Sequence, residues 1–302
     1  MNHPDQDRSI ARAEDIETRL ARLEAECLKL QRENATLRKQ LGLEPQVVHE
    51  PLLPQATLEP EPFSVSLPAK VGLDTDAKIQ LFRSLFRGRE DVYPIRWESR
   101  NGRSGYSPAC DNEWITGLCE KPRIKCSDCN NRKLLTITDQ TIYDHLSGRK
   151  VIGTYALLTD DTCWFLAVDF DGDHWQEDAT AFVRTATQHG IPASLEISRS
   201  GDGAHVWIFF NNPVAASMAR RLGTALITLT CNSERLLSLQ SYDRLFPNQD
   251  SMPKGGFGNL IALPLQKAPR EKGCSVFVDE SLTPYPDQWA YLASVQQVTC
   301  AA

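Results

Sequence analysis

Two short segments about thirty residues apart carry side chains suited to chemistry. The first is Asp169-Phe170-Asp171, at the end of the apolar run Trp164-Phe165-Leu166-Ala167-Val168. A strand has a side-chain period of two, so Asp169 and Asp171 leave the same face of the backbone. Two carboxylates on one face repel unless a cation lies between them, and hard oxygen donors suit Mg²⁺ or Mn²⁺. The second segment is Ser198-Arg199-Ser200-Gly201-Asp202-Gly203-Ala204-His205, followed by Val206-Trp207-Ile208-Phe209-Phe210. Glycines let a turn approach a ligand closely, and turn N–H groups hold phosphate. His205 then opens an aromatic-rich strand. Carboxylates for a metal beside a turn for phosphate point to metal-assisted phosphoryl or nucleotidyl transfer. The Gly-x-Gly turn precedes a strand and not a helix, so a dinucleotide-binding fingerprint is not expected, and there is no Walker A lysine.

The order D-x-D, then S-G-x-G-x-H, then a lone later Asp resembles that of the archaeo-eukaryotic primase superfamily, most closely the primase domains of TOTE conflict systems. The similarity spans residues 81–278. It includes Phe86-Arg87-Gly88-Arg89-Glu90-Asp91, Asn112-Glu113-Trp114, the two segments above, residues 241–250 and residues 255–266. The resemblance implies a primase-polymerase fold of the α/β (α+β) class. It implies that Asp169, Asp171 and Asp243 hold two catalytic Mg²⁺ or Mn²⁺ ions, and that Ser200 and His205 contact the incoming triphosphate. It further implies a nucleoside triphosphate substrate and a single-stranded DNA or RNA template, in a mobile-element, phage or defence setting. On composition alone Asp250 competes with Asp243, and Asp173 and His174 follow the acid pair closely. Gly201, Gly203, Arg199 and Lys254 complete the expected nucleotide-binding set, and Arg270 is a further candidate for triphosphate oxygens. A non-catalytic nucleic-acid-binding adaptor on a degenerate fold is the alternative; the intact acids, turn and His speak against it.

Cys110, Cys119, Cys126 and Cys129 form a C-x8-C-x6-C-x2-C set in a polar, turn-rich stretch. Zn²⁺ takes four tetrahedral thiolate or imidazole ligands, and a loop without its own core needs such a staple. A structural zinc module is therefore expected over residues 105–133. Basic residues from Arg96 to Lys133 surround it, a candidate grip on template phosphates.

These groups need elements to position them. Asp74 is a candidate N-cap for a helix carrying Ile79, Phe82, Leu85 and Phe86. Strands are expected at 151–158, 163–171, 193–198, 206–210 and 259–263, and helices at 177–189 and 213–230. The catalytic domain is expected over 74–290, with a tail at 291–302. Residues 13–41 show heptad spacing, with Leu20, Cys27, Asn34 and Leu41 at a and Leu23, Leu30 and Leu37 at d, the pattern of a parallel homodimeric coiled coil. A proline-rich linker, 42–73, follows.

The net charge is −6. Residues 1–68 hold 12 acids and 8 bases, so the remainder is nearly neutral and neither demands nor excludes a polynucleotide. No stretch is apolar enough to span a membrane and no secretory leader is visible, so a cytoplasmic protein is expected. A helicase, where one is used, is expected on a separate chain.

Overall fold

The computed structural model describes residues 72–233 and 241–299. The expected coiled coil and nearly all of the linker lie outside them. Helix α1 (Thr75–Leu85) starts where expected, with the Asp74 carboxylate accepting from the Ala77 amide at 2.8 Å. A hairpin of β1 (Pro94–Glu98) and β2 (Ser104–Pro108) follows, then the cysteine-bearing loop and α2 (Asp139–Leu146). The alternating part comprises β3 (Gly153–Tyr155), β4 (Thr162–Asp171), α3 (Trp175–Gln188), β5 (Ser194–Ile197), β6 (Gly203–Ala215) and α4 (Ala216–Ser233). It ends with β7 (Tyr242–Phe246), β8 (Leu260–Ala262), the short α5 (Lys267–Arg270), β9 (Val276–Val278) and α6 (Gln288–Ser294).

The main sheet has five strands in the order β7-β4-β6-β5-β9, every neighbouring pair antiparallel. Strand β4 is covered on both faces, which explains its nearly unbroken apolar run. Phe165 and Ala167 face a cluster containing Phe82 and Phe86, while Leu166, Val168 and Phe170 face a cluster containing Phe182 of α3 and Leu226 of α4. The fold is thus a mixed, three-layered one with the sheet in the middle. Phe86, just past α1, anchors that helix by edge-on contacts with Trp207 at 5.0 Å and Phe209 at 5.3 Å.

Several expected boundaries move. The strand expected at 151–158 is continuous only over Gly153–Tyr155, against β8, with Ile152 adding an isolated bridge to Ile95. Strand β6 outruns the expected 206–210 at both ends because it pairs with β4 from Gly203 to Ala215 across a bulge, so Pro213 lies inside an irregular stretch of strand and does not start a helix. The expected tail at 291–302 begins inside α6: Tyr291 and Leu292 are buried in the core, and Val298 bridges to Phe210. Its apolar residues have a sheet end to cover, a long-range reason that local composition does not carry.

Candidate active site

Register builds the site. Along one row across the sheet, Arg244 of β7, Asp169 of β4, His205 of β6 and Glu196 of β5 are successive cross-strand partners, so their side chains share the α1 face. Asp171, two residues on, emerges on that face opposite Gly203. A Cβ at position 203 would lie 2.3 Å from Asp171 Oδ1 and 2.5 Å from the Phe170 carbonyl oxygen, so only glycine fits there. Gly201 serves the turn differently, with φ +87°.

Asp243 enters through an irregularity. Tyr242 opposes Phe170 and Arg244 opposes Asp169, which leaves Asp243 as the extra residue of a bulge. Bulges re-aim side chains, and here carboxylate oxygens of Asp169, Asp171 and Asp243 come within 4.8 Å of one another. Among the described residues this is the group of three potential metal-ligating side chains that meets such spacing. Asp250, the competitor, pairs instead with Arg220. Asp173 and His174 fall after the Gly172 turn, with His174 capping α3 in a left-handed conformation.

The electrostatics are those of a site short of positive charge. Burial pushes the Asp169 carboxyl up to about 6; His205 and Arg244 pull it down, and the Asp171 and Asp243 charges add to the rise. Arg244 Nε lies 2.6 Å from Asp243 Oδ2. His205 Nε2 is 3.6 Å from Asp169 Oδ1, and its Nδ1 is 3.0 Å from Glu196 Oε2. Burial opposes a charge on His205, but the Glu196 carboxylate, with Asp169 and Asp171, outweighs it and raises the imidazole pKa. Glu196 is 1% exposed and also accepts from Trp207 Nε1 at 2.8 Å. Sequence reasoning missed this residue. Its signal is an acid inside the short strand Ser-Leu-Glu-Ile, a position that requires a buried partner.

The Ser198–Gly203 turn links β5 to β6. Ser200 Oγ accepts from the Asp202 amide at 3.2 Å and lies 3.0 Å from Ser198 Oγ, so this hydroxyl shapes the turn. Arg199 Nε is buried without a hydrogen-bond partner. Lys254 stands exposed in the loop between β7 and β8; Arg132 of the cysteine loop donates to the carbonyl of the next residue, Gly255, at 3.2 Å. Arg270 instead reaches the Leu146 carbonyl.

The four cysteines are half-buried free thiols lining one small cavity with Leu118, Ile124 and Leu134, although their sulfurs do not meet the spacing of the carboxylate group. Backbone amides of Lys121 and Trp114 lower the Cys119 thiol pKa, and the Lys133 amide donates to Cys110 Sγ at 3.3 Å.

A family model described as the Archaeo-Eukaryotic Primase domain of TOTE conflict systems matches residues 77–302. The chain belongs to this primase-domain family. The match takes in all three clustered aspartates, the Ser198–Gly203 turn, His205 and the four cysteines of this primase-family domain. Among solved structures, the polymerase domain of Mycobacterium tuberculosis Ligase D, in complex with DNA, is similar at 11% identity. That likeness covers 74% of this chain and 82% of the other, with a TM-score of 0.38. No curated protein matches the chain. No helix among the described residues is long and apolar enough to cross a membrane.

Proposed function

We propose that this chain is a metal-dependent primase-polymerase that joins nucleotides on a single-stranded nucleic-acid template. One observation carries the reading. Strand register and a bulge gather Asp169, Asp171 and Asp243 beside His205 and a glycine turn. The donor set fits hard divalent cations: three carboxylates crowd together, and nearby positive charge is confined to Arg244 and His205. When bound, Mg²⁺ or Mn²⁺ supplies Lewis-acid activation of a 3′-hydroxyl and neutralises charge on the leaving pyrophosphate.

The protein groups do the rest. Asp169, Asp171 and Asp243 set the place of the cations. His205, held by Glu196, presents its ring edge to phosphate oxygens. The Ser198–Gly203 turn, with Ser200, Gly201 and Gly203, lets a triphosphate approach the backbone, and Arg199 of that turn and Lys254 of the β7–β8 loop would add charge to a bound triphosphate. Zinc at Cys110, Cys119, Cys126 and Cys129 belongs to the same reading, supported by four thiols on one cavity with amides directed at sulfur. Dimerisation through residues 13–41 and a helicase acting in trans rest on the sequence and the resemblance.

The test is nucleotide incorporation on a single-stranded template with Mg²⁺ or Mn²⁺, with and without a primer. Wild-type incorporation is expected, and His205→Ala is expected to raise the nucleotide KM. Wild type that incorporates nothing under any of these conditions would favour the adaptor reading.

A further inference from the structure

The segment Phe86-Arg87-Gly88-Arg89-Glu90-Asp91 contributes no residue to the carboxylate site. Its residues Arg87 to Asp91 line a cleft of about 910 Å³ between α1 and the β3–β4 loop, whose walls also include Arg83, Ser84, Thr159, Asp160 and Trp164. The charges there largely cancel. Arg83 pairs with Asp139 and Glu90, Arg89 with Asp91, and Asp160 accepts from Thr162. Arg87 is different. It is exposed, has no acidic partner among the described residues, and its guanidinium lies 4.3 Å from the centre of the half-buried Trp164 ring.

The cleft has a fixed relation to the carboxylates. Trp164 and Asp169 belong to the same strand, and Arg87 follows Phe86, which packs on the sheet face that carries Asp169. Four strand residues lie between the tryptophan and the aspartate, five steps or about 17 Å at the usual rise. A planar cation stacked on an indole is a shelf for a nucleobase, since bases stack on aromatic rings and on guanidinium planes alike. The cancelled charges argue against a site that holds a polyanion by charge alone.

Resting on the proposed template-dependent reaction, we infer that the Arg87–Trp164 shelf is a second nucleic-acid site, which stacks an unpaired base of the single-stranded template several nucleotides from the reacting end. Stacking makes the contribution sequence-tolerant, and a neutral ring, which neutralises no phosphate, adds nothing to the salt slope.

The test is fluorescence anisotropy of a labelled single-stranded 12-nucleotide probe, without added nucleotide, across a salt series. Trp164→Leu keeps apolar bulk without a ring, and Arg87→Ala changes an exposed side chain. Each is expected to weaken binding about tenfold, with Trp164→Leu leaving the salt slope unchanged. Arg87→Lys, which keeps the charge but loses the plane, should weaken binding like Arg87→Ala. The template concentration for half-maximal incorporation should rise by a similar factor. Wild-type affinity in both Arg87→Ala and Trp164→Leu overturns the shelf, and so does full rescue by Arg87→Lys. If wild type incorporates nucleotides while these variants bind normally, the shelf alone falls; if wild type neither binds nor incorporates, the proposed function falls with it.

Discussion

The residue that most constrains this site is Asp169, because its carboxyl is driven up to about 6 by burial against neighbouring acids. The unfolded chain ionises this group near the ordinary carboxylate value, so between pH ~4 and ~6 the folded state retains a proton that the unfolded state loses. The associated stability is present below pH ~4 and is lost as pH rises through ~6, on the order of 3 kcal/mol. Asp169→Asn should therefore raise the melting temperature of protein without divalent metal at pH 7.5, by about 5 °C for a domain of this size, and should have little effect at pH 4. Calorimetry at the two pH values checks this. Added Mn²⁺ should stabilise wild type and not the variant.

Glu196 makes a second residue-scale claim. It is buried, accepts from Trp207 and holds His205 above its usual pKa. Glu196→Gln retains a carbonyl acceptor but removes the charge, so His205 should lose its proton at a lower pH. The nucleotide KM should then rise, and the pH above which it climbs should lie lower in the variant than in wild type. Steady-state kinetics across a pH series provide the check, and a KM change that is the same at every pH would point to packing alone.

At the scale of elements, local rules carry the outline and long-range pairing carries the site. The Asp74 cap, the buried run of β4 and the shared face of Asp169 and Asp171 follow from periodicity and side-chain chemistry. Asp243 was accessible only through resemblance, since its place depends on β7 pairing with β4 across seventy residues and on a bulge that no local signal marks. Glu196 escaped because its partner His205 comes from the next strand. The β1–β2 hairpin escaped because its strands are short and mostly only half-buried, with no clean alternation. The cysteine loop is an element of a third kind, with few apolar residues to hold it. Atomic absorption on purified protein should give about one zinc per chain. Cys126→Ser should abolish it and lower the melting temperature, because metal binding supplies folding free energy to such loops. Zinc-free protein with unchanged melting in Cys126→Ser would contradict the assignment.

Over the described part of the molecule, one strand carries both the candidate site and the proposed shelf. Strand β4 is clamped between helical layers on both faces, so the groups it carries hold fixed relative positions. At one end it presents Asp169 and Asp171; at the other it presents Trp164 under Arg87. The near-neutral charge of residues 69–302 neither demands nor excludes a polynucleotide. The most direct test of this account is incorporation of labelled nucleotide on a primed single-stranded template with Mn²⁺, comparing wild type with Asp169→Ala, Asp171→Ala. Incorporation by wild type and its loss of at least a thousandfold, on the order expected when charge stabilisation of the transition state disappears, is the predicted result in a variant that stays folded. Wild-type rates in that folded double variant would contradict it.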